Sequence, residues 1–289
     1  MKAVLFILAV CLYVASAQSF IVSKDLTSEA VATNALWTAE NMKSAKPMDL
    51  IIADLDGKQV PSDVKFAANE GTRECKTPGV YPFATAGRLF FETARGRSSC
   101  SASSVGKDII LTAGHCISSG RGVYYKNFLF CPQYKDGNCP EGRYTGVKMN
   151  THDQWHRSSQ LGRDVAFIKV TAGLEDKVGA LKMLYNTNRD EKCDAMGYPG
   201  NIGGGNRMIQ STGQQSMGSS TYRPPTVKFP SKMTYGSSGG PWIVQAKKGE
   251  KKNRVNGNVS HGNPRLDPNH FYSPYFDDEI KALRKAIAE

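Results

Sequence analysis

From Gly79 onward the chain is cut into short apolar runs, and this constrains the fold more than any other feature. Arg88-Leu89-Phe90-Phe91, Ile109-Ile110-Leu111, Val165-Ala166-Phe167-Ile168 and Trp242-Ile243-Val244 are each too brief for a buried helix, and Gly, Ser, Asn and Pro clusters separate them. Regularly spaced strands with turn signals predict an all-β sandwich or barrel. Only the last segment changes period. Phe276, Ile280, Leu283 and Ile287 fall on one helical face. Asp277, Asp278 and Glu279 open that helix, where they complement its dipole. A composition of 40% hydrophobic and 22% charged residues over 289 positions excludes a disordered or collagen-like chain. The Gly-rich stretch 200–206 is a loop, since no helix pattern follows it as a dinucleotide fingerprint would require.

The N-terminus reads differently. Lys2, an apolar run from Val4 to Val14 and Ala15-Ser16-Ala17 have the form of a secretory signal peptide over residues 1–17. The run is too short for a membrane span of about 20 residues, and no later stretch is apolar enough. Residues 18–74 lack a strong strand pattern and are expected to be a propeptide, with a helix within Leu26–Met48. The alternative is that they form the N-terminal part of the mature domain. The mature unit is expected over 75–289, secreted and monomeric. Of seven Cys, Cys11 leaves with the signal. Cys75, Cys100, Cys116, Cys131, Cys139 and Cys193 form an even set that an oxidising compartment would bridge.

The 37 Lys+Arg against 26 Asp+Glu give a net charge of +11. The basic run 247–254 (Lys-Lys-Gly-Glu-Lys-Lys-Asn-Arg) is a candidate polyanion contact, with a solvated loop as the plainer reading. It has no interleaved aromatics, so nucleic acid is not expected. His152 and His156 are spaced as metal ligands, but Asp153 replaces the Glu of the metalloprotease helix motif, so no metal or cofactor is expected. Asn258-Val259-Ser260 is a glycosylation sequon inside a candidate substrate strand, where modification is not expected.

Three segments carry chemistry together: Thr112-Ala113-Gly114-His115-Cys116, Asp164 followed by an apolar strand, and Gly236-Ser237-Ser238-Gly239-Gly240-Pro241. A serine hydroxyl needs a base within hydrogen-bond reach to become a nucleophile. An imidazole can take that proton and return it to the leaving amine. A buried carboxylate fixes the imidazole tautomer. In this order, and with spacings of 49 and 74 residues, the segments resemble the histidine, aspartate and serine motifs of the chymotrypsin/trypsin-like serine endopeptidases. The Ser-Ser-Gly-Gly-Pro form and Gly197-Tyr198-Pro199-Gly200 look closest to the glutamyl endopeptidase branch. The order His, Asp, Ser is neither that of subtilisin nor that of the α/β-hydrolases.

The resemblance covers about residues 79–289 and implies two six-stranded antiparallel β-barrels with a C-terminal helix. It makes Ser238 the nucleophile, His115 the base and acid, and Asp164 the orienting carboxylate, with the N–H groups of Gly236 and Ser238 as the oxyanion hole. It implies peptide-bond hydrolysis in protein or peptide substrates through an acyl-enzyme. It also implies a Cys100–Cys116 bridge. Cys131 and Cys139 are spaced for a local staple around Asp136-Gly137, which leaves Cys75 with Cys193.

Two departures bear on activity. Ser237 replaces the Asp that in trypsin-like members pairs with a freed N-terminal amine, and an Ile-Val-Gly-Gly start is absent. The alternative function is therefore a non-catalytic or weakly active homologue acting as a secreted binding or regulatory protein. Lys232, six residues before Ser238, stands where trypsin has an Asp at its pocket base. Ser260-His261-Gly262 matches the strand that pairs with the substrate backbone, with His261 in place of the usual Trp. A cation and a histidine there predict a preference for acidic residues before the cleaved bond.

Overall fold

The structure is a computed structural model that describes residues 20–48, 51–52, 71–218, 222–244, 253–263 and 267–289. The expected signal peptide and most of the basic run 247–254 lie outside them. Arg254, the last residue of that run, is buried at the start of a strand, Arg254–Asn258, and so is not part of a solvated loop.

Six antiparallel strands close into a barrel: Ala86–Thr93, Gly96–Ser104, Ile109–Thr112, Lys126–Pro132, Tyr144–His152 and Ala166–Val170. Closure comes from the Leu129↔Thr145 and Phe130↔Tyr144 pairs. Its strands look continuously apolar because both of their faces are covered. Leu89, Phe91, Ile110 and Ile168 fill the barrel interior. Phe90, Ile109, Leu111 and Phe167 point outward into a second core shared with Trp37 and the C-terminal helix. Strands buried on two sides do not alternate in hydropathy.

The second lobe is built of two sheets around the Phe229–Trp242–Phe271 aromatic cluster. One contains Lys192–Gly197, Ile209–Gln214, Pro241–Val244 and Arg254–Asn258, and the other Thr226–Pro230, His261–Asn263 and Asp267–Pro274. The expected two-lobed all-β fold is therefore present. The second lobe is two hydrogen-bonded sheets among the described residues, where the first is one closed ring.

The C-terminal helix, Asp278–Ala288, forms as its period predicts, and Phe276, Ile280, Leu283 and Ile287 are buried. Asp277 is its N-cap and accepts from the N–H groups of Glu279 and Ile280. Residues 20–48 pack on the first barrel. Ile21–Asp25 adds an antiparallel strand to Tyr144–His152. The expected helix appears as two short ones, Ala30–Leu36 and Ala39–Ser44, because Trp37 turns inward between them. Trp37 is fully buried, packs on Phe90 at 5.3 Å and donates its indole N–H to the Asn127 carbonyl at 2.7 Å.

Cys100–Cys116 and Cys131–Cys139 are bridged as expected. Cys75 and Cys193 are free buried thiols, which corrects the pairing expected for them. Both flank the strand Ile209–Gln214. Cys75 bonds alongside Met208, whereas Cys193 pairs with Gly213 on the opposite side and five positions further along. At about 3.3 Å per residue that offset exceeds the ~7 Å Cα limit of a disulfide.

No helix among the described residues is long and apolar enough to cross a membrane.

Candidate active site

The site lies where the two lobes meet. His115 sits on a single 3-10 turn, Gly114–Cys116, fixed by the Cys100–Cys116 bridge. Gly114 has no side chain because Trp155 packs there; a Cβ would lie 2.5 Å from the indole ring. Asp164 ends the turn Leu161–Arg163 and is fully buried. Its Oδ1 accepts from the His115 backbone N–H at 2.7 Å, and its Oδ2 from His115 Nδ1 at 2.8 Å. Ser260 Oγ donates a third bond to Oδ2, at 2.6 Å. Burial alone would raise the Asp164 carboxyl, but the His115 charge and these hydrogen bonds outweigh it and hold it below the ordinary carboxylate range. Asp164 is thus an acceptor at all three contacts, so the His115 proton sits on Nδ1 and the Nε2 lone pair is free.

His115 Nε2 and Ser238 Oγ are both buried without a hydrogen-bond partner. One is a lone-pair acceptor and the other a hydroxyl donor. A buried polar group left unpaired calls for an explanation, and a catalytic role is one. The turn that carries Ser238 is held by its carbonyls. The Ser101 hydroxyl donates to the Gly236 carbonyl at 2.9 Å, and the Ser101 N–H to the Ser238 carbonyl at 2.7 Å. Gly236 has φ +88, a conformation that a Cβ disfavours. Ser237 donates its hydroxyl to the Thr234 carbonyl at 2.6 Å and offers no charge to an N-terminal amine.

Ser101 and Arg163 escaped the sequence reading. Ser101 has only its place beside Cys100 to mark it. Arg163 is buried and pairs with Asp277 at 2.8 Å and Glu279 at 2.7 Å, which ties the Asp164 turn to the start of the C-terminal helix. His152 and His156 turn to different partners, Glu279 Oε2 and Ser118 Oγ, and do not converge on a metal. The sequon residue Asn258 is fully buried, with its amide near the Asp164 carbonyl.

The expected specificity residues divide. Ser260, on the strand expected to pair with the substrate backbone, gives its side-chain hydroxyl to Asp164. His261 is buried, stacks on Tyr272 at 5.1 Å and places Nδ1 3.0 Å from Ser260 Oγ. Since the Ser260 proton goes to Asp164, Nδ1 of His261 carries the proton, and its buried Nε2 is an unpaired acceptor. Burial lowers the His261 pKa to about 4. Gly262 pairs with Phe271. Lys232 is half-buried, its backbone held by Thr72 Oγ1 and Asn201 Nδ2.

The trypsin family model matches residues 77–280. Among solved structures, the chain is 27% identical to the protease Anisep from Arthrobacter nicotinovorans, with 71% of this chain and 95% of that one covered at a TM-score of 0.63. It is 28% identical to a thermostable serine protease from an extremophilic microorganism, over 71% of this chain and 97% of that one, also at 0.63. A Glu endopeptidase shares the fold at 18% identity and a TM-score of 0.64, over 76% and 98% of the two chains. No curated protein matches the chain in sequence. A two-lobed β fold, a histidine and a serine both buried where the lobes meet, and a family match over most of the chain lead to one assignment: the chain belongs to the trypsin family of serine peptidases.

Proposed function

We propose that this peptidase is a secreted endopeptidase that cleaves peptide bonds through an acyl-enzyme on Ser238. The observation that carries the reading is the complementary pair of unpartnered atoms, Ser238 Oγ and His115 Nε2, behind which Asp164 fixes the imidazole. His115 takes the Ser238 proton as the oxygen attacks and returns it to the leaving amine. The N–H groups of Gly236 and Ser238 receive the oxyanion. Fluorophosphonate labelling tests this: the processed enzyme labels at Ser238, and a Ser238→Ala protein folds and does not. A folded, processed wild type that never labels at Ser238 would refute the reading.

The preferred residue before the cleaved bond is Glu or Asp. Lys232 and His261 support this, each by charge or hydrogen bonding rather than by shape. The unpaired Nε2 of His261 is an acceptor when neutral, so it holds a carboxylate only after taking up a proton. A bound carboxylate raises the His261 pKa from its free value of about 4, so preference for Glu over Gln grows only as pH falls toward 5, and Lys232→Gln narrows it at every pH. Faster cleavage after Lys or Arg than after Glu would sink the acidic reading.

A further inference from the structure

Ser238 and His115 are almost completely inaccessible. Alongside the turn that carries Ser238 runs a segment from ahead of the first barrel. Ala45 is anchored first, its carbonyl accepting from the buried Arg88 guanidinium at 3.0 Å. Lys46 and Pro47 then pair in parallel with Ser98 and Ser99 of the first barrel. Met48 donates its N–H to the Ser99 carbonyl at 2.7 Å, and its own carbonyl accepts from the Gly236 N–H at 2.8 Å. That N–H is the one assigned above to the oxyanion. The Met48 side chain is partly buried and packs against the first-barrel core. Beyond the site, Ile51 and Ile52 pair in parallel with His261 and Gly262.

The direction of this path is what matters. His115 is carried by the first lobe, and the leaving amine must come within reach of its Nε2. Residues after the scissile bond therefore lie over the first lobe, and residues before it along Ser260–Gly262. A substrate runs from Ser260–Gly262, past Ser238, to Ser98–Ser99. The segment runs the opposite way: Ser98–Ser99 first, Gly236 next, His261–Gly262 last. A carbonyl of either chain direction can accept from the Gly236 N–H. In the reversed direction the amide nitrogen bonded to that carbonyl leads toward the second lobe, away from His115, so it cannot be protonated as it leaves.

We propose that residues 45–48 and 51–52 are a built-in inhibitor, which fills the substrate cleft in reverse and occupies the oxyanion hole with the Met48 carbonyl while escaping cleavage. The inhibitor rests on the peptidase reading of Ser238. It also supplies what Ser237 withholds: activation proceeds by releasing the segment from the cleft, with no new ion pair at position 237.

The test uses the full-length secreted protein and a fluorophosphonate probe. Two substitutions within the segment, Met48→Asp and Ile51→Pro, leave both lobes untouched. The first sets a carboxylate against an apolar core, and the second introduces a residue that disfavours strand pairing. If the cleft is open only ~1% of the time, the wild type labels about 100-fold more slowly than the double variant. A synthetic peptide of residues 44–54 added to the double variant restores slow labelling and is recovered at unchanged mass. This second arm does not depend on how the variant affects folding. Wild type and double variant labelling at one rate overturns the inhibitor and leaves the peptidase standing, and so does cutting of the peptide after Met48. If neither protein labels at Ser238, even after removal of the N-terminal segment, the peptidase reading falls and takes the inhibitor with it.

Discussion

Gly236→Ala isolates the oxyanion hole from the rest of the site. At φ +88 the backbone is in a region that L side chains avoid, and an added Cβ would lie 2.6 Å from the Tyr198 carbonyl oxygen. That oxygen belongs to main chain packed between the lobes and cannot swing aside as a flexible side chain would. The turn must therefore rotate, and the Gly236 N–H moves off the oxyanion. Losing one such donor costs about 2.7–4 kcal/mol, or roughly 100- to 1,000-fold in kcat. The ground-state carbonyl makes a weaker demand on the donor, so KM moves little. The assay is kcat and KM for the processed enzyme on a peptide amide, normalised by active-site titration, with thermal unfolding as the check on folding. Ser238→Ala marks the floor. A natively folded Gly236→Ala enzyme with kcat within about threefold of wild type would refute the assignment of this N–H to the oxyanion.

Three further outcomes follow from the same geometry. Asp164→Asn turns the His115 ring to the wrong tautomer, so kcat falls by about 10⁴ while the fold persists; a loss of less than tenfold, seen in steady-state kinetics, would contradict the buried Asp164–His115 contact. His261 has its folded pKa depressed to about 4, so the stability it contributes is complete above its unfolded pKa of ~6.5 and is lost as pH falls through about 4. Urea unfolding at several pH values should show that decline, and His261→Gln should flatten it; an unchanged slope would count against the buried neutral imidazole. Cys75 and Cys193 should alkylate in the denatured, unreduced protein, as read by peptide mass, and a Cys75–Cys193 linked peptide would overturn the free-thiol assignment.

The candidate triad was legible because its chemistry admits few residue types, and each came with a local signature: Cys116 beside His115, an apolar strand after Asp164, glycines around Ser238. The C-terminal helix was legible for a different reason, since one buried face imposes a period on the sequence. The failed Cys75–Cys193 bridge shows the limit of counting. An even number of thiols is compatible with three bridges, but whether two cysteines meet depends on strand register, and a five-position offset along Ile209–Gln214 keeps these apart. Ser101 and Arg163 were invisible because their partners, the Gly236 carbonyl and the Asp277 and Glu279 carboxylates, are over 100 residues away.

The segment at 45–48 and 51–52 is the hardest part to read, and the reason is physical. Its contacts with the cleft are made by main-chain groups: the carbonyls of Ala45 and Met48, the N–H of Met48, and two parallel pairings. Backbone groups are the same in every residue, so they leave no motif. What the sequence shows instead is an absence, Ser237 where a charge would govern activation. With its hydroxyl committed to the Thr234 carbonyl, Ser237 settles its own turn without waiting for a new N-terminus. The turn that carries Ser238 can therefore be formed before processing, with the Gly236 N–H already available to the Met48 carbonyl. A preformed site needs a cover, and a chain that lies across it backwards provides one that the enzyme cannot readily digest.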